Sequence, residues 1–480
     1  MKTNTYKTLL LTCLVVVFLL LLHFLPTFKI GDTELREIDI LSDLSRQKKE
    51  LKDVIPAPKT PSTTLALEKD GKVINFKEQW PKGTERIVDY SEGKPGGMDH
   101  FYEQLTALKE KKNLGRPVRI AYFGDSFIEG DILLADLREE LQKYYGGEGV
   151  GWLDAGNDLN QYKHTTTQKF TGLTEHLVKK PDSYDVLQAG MAERYYPLSG
   201  RANITLAPFM AHEYPRTEKW STTQLYLRAK NGASVTFHID GGKSTTEQVS
   251  PSPNVQMVRF NGATSHASID VSGTNATLFA TAQEGNGGIV LDNFSMRGSN
   301  GLSLSKLPET TLRQFAQVRP YDLIVFQFGA NAITPASKER ELQTYTSKMK
   351  SVIQLFHKCF PTASILVIGA PDRGSKSSSD GTMEGVKMLV GYQDQMASEC
   401  KVGFYSLYKA MGGPGTMMRL VDEKNMGSKD YVHINFKGGK YVAPRIFKSI
   451  VAGQNNYARK MKLIHQQVMM KMHYVSKAQK

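Results

Sequence analysis

A serine and a distant aspartate–histidine pair are the residues of this sequence best suited to chemistry. Ser126 closes a Gly-Asp-Ser tripeptide at 124–126, and Asp430 precedes His433 by three residues. An aspartate at this spacing can accept a hydrogen bond from the imidazole, which leaves the other ring nitrogen free to take a proton from a serine hydroxyl. Each motif alone has a plainer explanation, a capped turn for the first and a surface pair for the second. Together they predict a nucleophilic serine.

The segments around Ser126 predict how this serine is positioned. The apolar run 118–123 has the length and composition of a buried strand, and leucines at helical spacing follow between 132 and 145. A serine between a strand and a helix lies at the carboxyl edge of a sheet, where backbone N–H groups can stabilise negative charge. We therefore expect the Ser126 hydroxyl to be exposed at that edge.

Two further segments predict strands that end at the same edge. Gly298 lies in a glycine-containing turn after a strand-like run that begins at 288, and Asn331 follows the buried-strand run 323–328. The backbone N–H of a glycine and the side-chain amide of an asparagine can both donate a hydrogen bond to a developing oxyanion. Both residues are therefore candidates for the site of Ser126.

In this order, the four segments resemble those of the SGNH hydrolases, also called GDSL-type esterases. The resemblance covers 115–155 and 288–452, and it implies an α/β fold of three layers around a flavodoxin-like parallel sheet. It implies that Ser126 is the nucleophile, that His433 is the general base and then the general acid, and that Asp430 orients the histidine.

The resemblance also implies an oxyanion hole, made by the backbone N–H groups of Ser126 and Gly298 and the side-chain amide of Asn331. The family usually has Asp or Glu after this asparagine, whereas this sequence has Ala332. A common supporting carboxylate is therefore missing. The implied mechanism needs no cofactor and no metal ion.

The segment 153–287 has a different character, because short alternating runs replace helical periodicity and are separated by Gly, Ser, Asn and Pro. This pattern predicts an inserted β-sandwich. A carbohydrate-binding-module-like β domain is inserted at the corresponding place in the peptidoglycan O-acetylesterases of the family. Tyr195, Tyr196 and Trp220 are candidates for stacking on sugars, with Tyr196 and Trp220 as the preferred pair, although core packing explains such aromatics as well. The insertion could equally serve only to support the active site.

The N-terminus predicts a membrane anchor. Lys2 and Lys7 precede an apolar run at 9–25, which Pro26 ends. We expect an uncleaved single-pass transmembrane helix in the cell (inner) membrane, with the catalytic domain exported to the periplasm or the cell exterior. A cleaved signal peptide is the alternative. In such an oxidising compartment, Cys359 and Cys400 could form a disulfide or remain buried thiols.

Composition limits the partners. The chain has 480 residues, of which 40% are hydrophobic and 23% charged, as in ordinary globular proteins. Its formal net charge of +13 favours an anionic partner such as a cell-wall polymer or a membrane surface. No nucleic-acid-binding module is recognisable, so a nucleic-acid partner is not expected.

These observations divide the chain into six predicted parts. They are a cytoplasmic end with the anchor at 1–31, a stalk at 32–96, the two halves of an SGNH hydrolase domain at 97–152 and 288–453, the inserted β-sandwich at 153–287, and a basic amphipathic C-terminal helix at 454–480.

The predicted function is that of a serine esterase that removes O-acetyl groups from an envelope or extracellular polysaccharide, such as peptidoglycan, through an acyl-serine intermediate. One alternative is an O-acetyltransferase that acts on a glycan together with a membrane acyltransferase partner. Another is a non-catalytic glycan-binding or scaffold protein, against which the intact Ser126, Asp430 and His433 argue.

Overall fold

The computed structural model describes residues 2–22, 29–30, 33–34, 58–59, 65–69, 72–239, 242 and 244–478. The chain forms two compact units, Met1–Pro56 and Ala57–Lys480. The predicted membrane anchor lies in the first unit, and the predicted catalytic residues lie in the second.

The first unit contains a helix and a small antiparallel strand pair. Helix α1 is Lys2–Leu22, and strands β1 and β2 are Lys29–Ile30 and Thr33–Glu34. No helix among the residues that the structure describes is long and apolar enough to cross a membrane. The membrane anchor stays a prediction from the sequence.

The second unit begins, within its described part, with a two-stranded antiparallel hairpin, β3 Leu65–Lys69 and β4 Lys72–Phe76. Strand β5, Ile87–Asp89, then pairs antiparallel with the edge of a larger sheet, and Tyr90 and Ser91 after it are buried. The end of the segment predicted as a stalk is therefore part of the folded domain, because β5 adds an edge strand to the sheet and Ile87 packs in its core.

Besides β5, the larger sheet contains β6 Val118–Gly124, β17 Ile289–Ser295, β18 Leu323–Gln327, β19 Ser364–Ile368 and β20 Gly403–Tyr405. These six strands of the described chain lie in the order β17-β6-β18-β19-β20-β5, and all except β5 are parallel. Every residue of β6 is buried, as expected for a central parallel strand covered on both faces.

Helices cover both faces of this sheet and complete three layers. Apolar side chains of β6 alternate between the two faces: Tyr122 packs into a core shared with one helical layer, and Phe123 contacts Phe356 in the other. The first layer consists of α2 Asp99–Lys109, α3 Leu134–Tyr145, α7 Leu407–Met411, α8 Thr416–Asp422 and α9 Phe436–Ala478. The second consists of α4 Glu309–Val318, α5 Glu339–Cys359 and α6 Val386–Cys400. The predicted α/β fold with a parallel sheet is confirmed.

Helix α9 is longer than the sequence pattern indicated. It continues without interruption from Phe436 to Ala478, although it contains Pro444. The basic segment predicted as a separate helix at 454–480 is thus an extension of the last helix of the domain.

The inserted segment is rich in antiparallel β-structure where a β-sandwich was predicted. Ten strands are described: β7 Gly151–Asp154, β8 Thr167–Leu173, β9 His176–Leu177, β10 Arg194–Ala207, β11 Trp220–Ala229, β12 Ala233–Ile239, β13 Thr245–Val249, β14 Gln256–Thr264, β15 Ala267–Gly273 and β16 Ala276–Glu284. Seven of them lie in the order β13-β12-β15-β10-β16-β11-β14, while β7 pairs with β16, and β8 and β9 pair with β10. All of these strands except β9 contribute to one apolar core.

A buried ionic network joins this β-rich region to the parallel sheet. Arg119 of β6 pairs with Glu284 of β16 at 2.5 Å, and Arg319 pairs with the same carboxylate at 3.1 Å and with Asp292 of β17 at 2.6 Å. All four side chains are almost completely buried, so each charge depends on its partners for stabilisation. The network therefore holds the insertion against the α/β core.

Candidate active site

The parallel sheet brings the ends of three strands to Ser126. In the register of the sheet, Gly124 of β6 lies opposite Ser295 of β17 on one side and Gln327 of β18 on the other. The residues that follow these positions therefore emerge side by side at the carboxyl edge. Gly298 and Asn331 each come a few residues after these strands, and the Asn331 side chain contacts Asp125 beside the serine.

Ser126, His433 and Asp430 form a continuous hydrogen-bonded chain, the Ser126 triad. The Ser126 Oγ lies 2.8 Å from Nε2 of His433, and Nδ1 of the same ring lies 2.7 Å from Oδ2 of Asp430. Residues 307 positions apart in the sequence thus meet in the order that general-base activation of a serine requires.

The aspartate of this triad is held by more than the imidazole. Although partial burial opposes ionisation, hydrogen bonds from the His433 ring and from the backbone N–H groups of Val432 and His433 keep the pKa of Asp430 below its ordinary value. Asp430 is therefore ionised at neutral pH and can stabilise a protonated imidazole. Its side chain is 48% exposed, so the triad is open to solvent.

Two of the three predicted oxyanion donors are available. The backbone N–H groups of Ser126 and Gly298 donate no hydrogen bond to another residue in the described part of the chain. Gly298 has φ of 68°, in the left-handed region that glycine adopts without strain. A free N–H at the end of each of two adjacent strands is the arrangement that an oxyanion hole needs.

The third predicted donor, Asn331, is already engaged. Its Nδ2 donates to Oδ2 of Asp125 at 3.2 Å and to the backbone carbonyl of Ser299 at 3.0 Å. An oxyanion bound next to Asn331 would have to compete with one of these two acceptors. The structure thus places Asn331 at the predicted position with both of its N–H groups in use.

Asp125, the neighbour of the serine, is a site residue whose importance the sequence did not reveal. Its carboxylate accepts from the backbone N–H of Phe127 at 2.9 Å and from Asn331, and it forms no ion pair with a described residue. Burial without a cationic partner raises its pKa to about 6, in spite of these hydrogen bonds and the charge of His433. The Gly-Asp-Ser motif was the available signal, but it could not show the contact with Asn331.

An arginine supports the Asn331 turn, where Ala332 replaces the usual carboxylate. Arg373 Nη1 donates to the backbone carbonyls of Ala330 at 3.0 Å and Ile333 at 2.7 Å. These two bonds bracket Asn331 and fix the turn. Arg373 begins the polar loop 373–382.

The β-rich region supports the loop that carries Gly298. Lys179 Nζ donates to the carbonyl of Gly298 at 2.8 Å, and Arg194 donates to the carbonyl of Ser295 at 3.1 Å. Both contacts leave the N–H of Gly298 free. The insertion therefore helps to position a predicted oxyanion donor.

The two aromatic residues preferred for glycan stacking are not available to a ligand. Tyr196 and Trp220 are 0% and 1% exposed and pack in the core of the β-rich region. The Tyr196 hydroxyl donates to Glu175 at 3.0 Å, and the Trp220 ring donates to Thr223 at 2.8 Å. The prediction that they contact sugar is wrong, because the aromatic positions of the alternating strands face inwards. Tyr195 is also buried.

A second Ser–His–Asp chain, the Ser244 triad, lies on the exposed surface of the β-rich region. Ser244 Oγ is 2.7 Å from Nδ1 of His238, and Nε2 of that ring is 2.8 Å from Asp270. Asn203 donates to the same aspartate at 2.8 Å. No sequence motif indicated this cluster, since strand pairing alone brings its members together.

The structure also bears on the cysteines and on metal binding. Cys359 and Cys400 are free thiols and are not joined by a disulfide. Within the described residues, no group of three or more His, Cys, Asp or Glu side chains is arranged to hold a metal ion.

Comparison with known proteins shows the fold. No family model and no curated protein matches the sequence. Among solved structures, a peptidoglycan O-acetylesterase is 18% identical, with a TM-score of 0.62 over 77% of this chain and 99% of its own. A family two carbohydrate esterase from Cellvibrio japonicus is 10% identical over 60% of this chain and 99% of its own, but its TM-score of 0.24 is too low to indicate the same overall architecture. The resemblance seen in the four sequence motifs is thus confirmed at the level of fold: the chain has the fold of that O-acetylesterase.

Proposed function

We propose that this protein is a serine esterase that removes O-acetyl groups from a polysaccharide. The observation that carries the proposal is the Ser126 triad at the carboxyl edge of the parallel sheet, beside the free N–H groups of Ser126 and Gly298. The fold shared with a peptidoglycan O-acetylesterase supports the choice of an acetyl ester.

The reaction follows from the geometry of the triad. As Ser126 Oγ attacks the acetyl carbonyl, its proton passes to Nε2 of His433, and Asp430 stabilises the imidazolium through Nδ1. The carbonyl oxygen gains negative charge beside the two free N–H groups. The C–O bond to the sugar then breaks, the sugar oxygen takes the proton from His433, and acetyl-Ser126 remains. Water attacks this ester by the same steps and releases acetate.

The substrate is proposed to be a glycan of the cell envelope or extracellular matrix, with peptidoglycan as the model. The basic net charge of the chain supports an anionic polymer. We also propose that the catalytic domain is exported through an N-terminal anchor, on the basis of the charge and apolar pattern of the first 26 residues. The arrangement of the β-rich region as a sandwich is a further proposal.

The decisive experiment measures acetate release. The protein is incubated with p-nitrophenyl acetate and with a panel of acetylated polysaccharides, alongside the variants Ser126→Ala and Ser244→Ala. We expect wild-type protein and Ser244→Ala to release acetate at equal rates, and Ser126→Ala to release none above background.

The same experiment can contradict the proposal. Wild-type turnover by Ser126→Ala would show that another residue is the nucleophile. Formation of acetylated sugar in excess of free acetate, when an unacetylated oligosaccharide is added as acceptor, would identify the protein as an acetyltransferase instead.

A further inference from the structure

A basic cavity opens next to the candidate active site. Its volume is about 470 Å³, and Asn331, the residue that contacts Asp125 beside the nucleophile, forms part of its wall. The rest of the wall comes from the turn after Gly298 and from the first part of helix α5. A substrate group that binds in this cavity would lie close, on the same substrate molecule, to the ester that Ser126 attacks.

The charges in the wall are unbalanced. Lys338, Arg340 and Lys348 all line the cavity and are exposed, and none of them forms an ion pair with another residue that the structure describes. Glu341 is the acidic residue of the lining, and its carboxylate accepts the backbone N–H of Lys338 at 3.2 Å. Three cations and one anion leave the cavity with a net charge of +2.

Hydrogen bonds hold the neutral part of the wall in place. The Tyr345 hydroxyl donates to the backbone carbonyl of Asn300 at 2.9 Å, which ties helix α5 to the turn after Gly298. The side-chain carbonyl of Asn300 accepts from the N–H of Leu302 at 3.2 Å. Asn300 and the three cations thus line a cavity in which helix α5 is tied to the turn after Gly298 by a hydrogen bond.

We propose that this cavity is a subsite for a carboxylate carried by the same glycan as the acetyl ester. An arginine and two lysines supply the charged donors that bind carboxylates most strongly. Because Glu341 balances only one of these three positive charges, the remaining positive charge can bind a carboxylate of the substrate. The inference rests on the proposed esterase function and narrows its substrate to acidic glycans. The carboxylate can come from a uronic acid or from a peptide attached to the sugar.

The test compares substrates that differ only in charge. The first pair is an acetylated oligogalacturonate and the same oligosaccharide with its carboxylates methyl-esterified. The second pair is an acetylated glycan fragment that carries a short peptide, with its carboxylates free or amidated. We expect the free carboxylate to raise kcat/KM about tenfold, mainly through KM, in one pair or in both. The pair that responds identifies the source of the carboxylate.

Matched variants locate the effect. The triple variant Lys338→Gln, Arg340→Gln, Lys348→Gln should lose the preference for the free carboxylate. The control is Lys169→Gln, Arg201→Gln, Lys230→Gln, which removes the same charge from exposed positions of the β-rich region and should keep the preference. Equal kcat/KM for free and blocked carboxylates, or a preference that survives the first triple variant, would overturn the proposal.

The subsite can be tested even if the esterase proposal fails. Failure of wild-type protein to hydrolyse p-nitrophenyl acetate would contradict the proposed function alone. Calorimetric binding of unacetylated oligogalacturonate and of the unacetylated peptide-bearing fragment would then decide the subsite. Binding of either probe that is lost in the first triple variant and kept in the control supports the subsite. Absence of binding by both, or binding that the first triple variant keeps, contradicts it.

Discussion

The two Ser–His–Asp chains of this molecule are nearly identical in composition and geometry, yet their surroundings differ. The bonds of the Ser126 triad measure 2.8 and 2.7 Å, and those of the Ser244 triad 2.7 and 2.8 Å. Exposure does not separate them either, since His433 and His238 are 42% and 43% exposed. A hydrogen-bonded trio is therefore not what distinguishes a candidate active site.

The difference lies in the backbone around each serine. Ser126 follows a buried parallel strand, and its own N–H and that of Gly298 are left free at the sheet edge. Ser244 immediately precedes strand β13, the edge strand of an antiparallel sheet, and so does not lie at the carboxyl end of a buried parallel strand. We infer that only the first serine can stabilise a tetrahedral intermediate. Its triad also uses Nε2 towards the serine, whereas the second uses Nδ1.

The largest expected effect is a difference in kcat between alanine variants of the two histidines. His433→Ala should reduce kcat on p-nitrophenyl acetate about 10⁴-fold, because the general base is lost. The matched change His238→Ala should leave kcat within about twofold of wild type and, being a surface change, alter the free energy of unfolding by less than about 1 kcal/mol. Steady-state kinetics and urea denaturation of both variants check this. Comparable losses of activity would show that the Ser244 triad takes part in catalysis.

A smaller effect is expected at the asparagines. Asn331→Ala should lower kcat about 10²–10³-fold if one of its N–H groups turns from Asp125 or Ser299 to the oxyanion. Asn203→Ala removes the amide beside the Ser244 triad and should leave kcat unchanged. An increase in KM with unchanged kcat for Asn331→Ala would indicate that this residue only binds substrate, and the two N–H groups of Ser126 and Gly298 would then form the oxyanion hole alone.

The smallest effect concerns Asp125, the buried acid that the Ser244 triad lacks. Its pKa of about 6 lies above the ordinary 3.8, so the folded state holds the proton more tightly than the unfolded state. Its contribution to stability is therefore largest below pH 3.8 and is lost as the pH rises to about 6. Between these pH values, Asp125→Asn should become more stable relative to wild type by up to about 3 kcal/mol.

Urea denaturation at pH 4, 5, 6 and 7 measures this change. Asp380→Asn is the control, because the hydrogen bond from Lys387 lowers the pKa of Asp380 to about 2 and its contribution is constant over this range. Parallel stability curves for wild type and Asp125→Asn would show that Asp125 stays ionised when buried.

The sequence by itself determined the chemistry of the site and the class of fold. Periodicity identified the buried strands before Ser126 and Asn331, since a central parallel strand must be apolar on both faces. The carboxyl ends of parallel strands share one edge, so Ser126, Gly298 and Asn331 could be placed together without coordinates. The pair Asp430 and His433 was recognisable because its spacing is local. The change to alternating residues identified the β-rich insertion.

Tertiary structure alone decided which side chains face solvent and which polar groups are already in use. Tyr196 and Trp220 have the same sequence pattern whether they face a glycan or the core, and packing placed them inside. The partners of Asn331 come from two other segments, so the sequence could not show that its N–H groups are already in use. The basic cavity exists because helix α5 lies beside the turn of Asn331. Contacts between segments that are distant in the sequence determine each of these features, and local sequence patterns do not reveal such contacts.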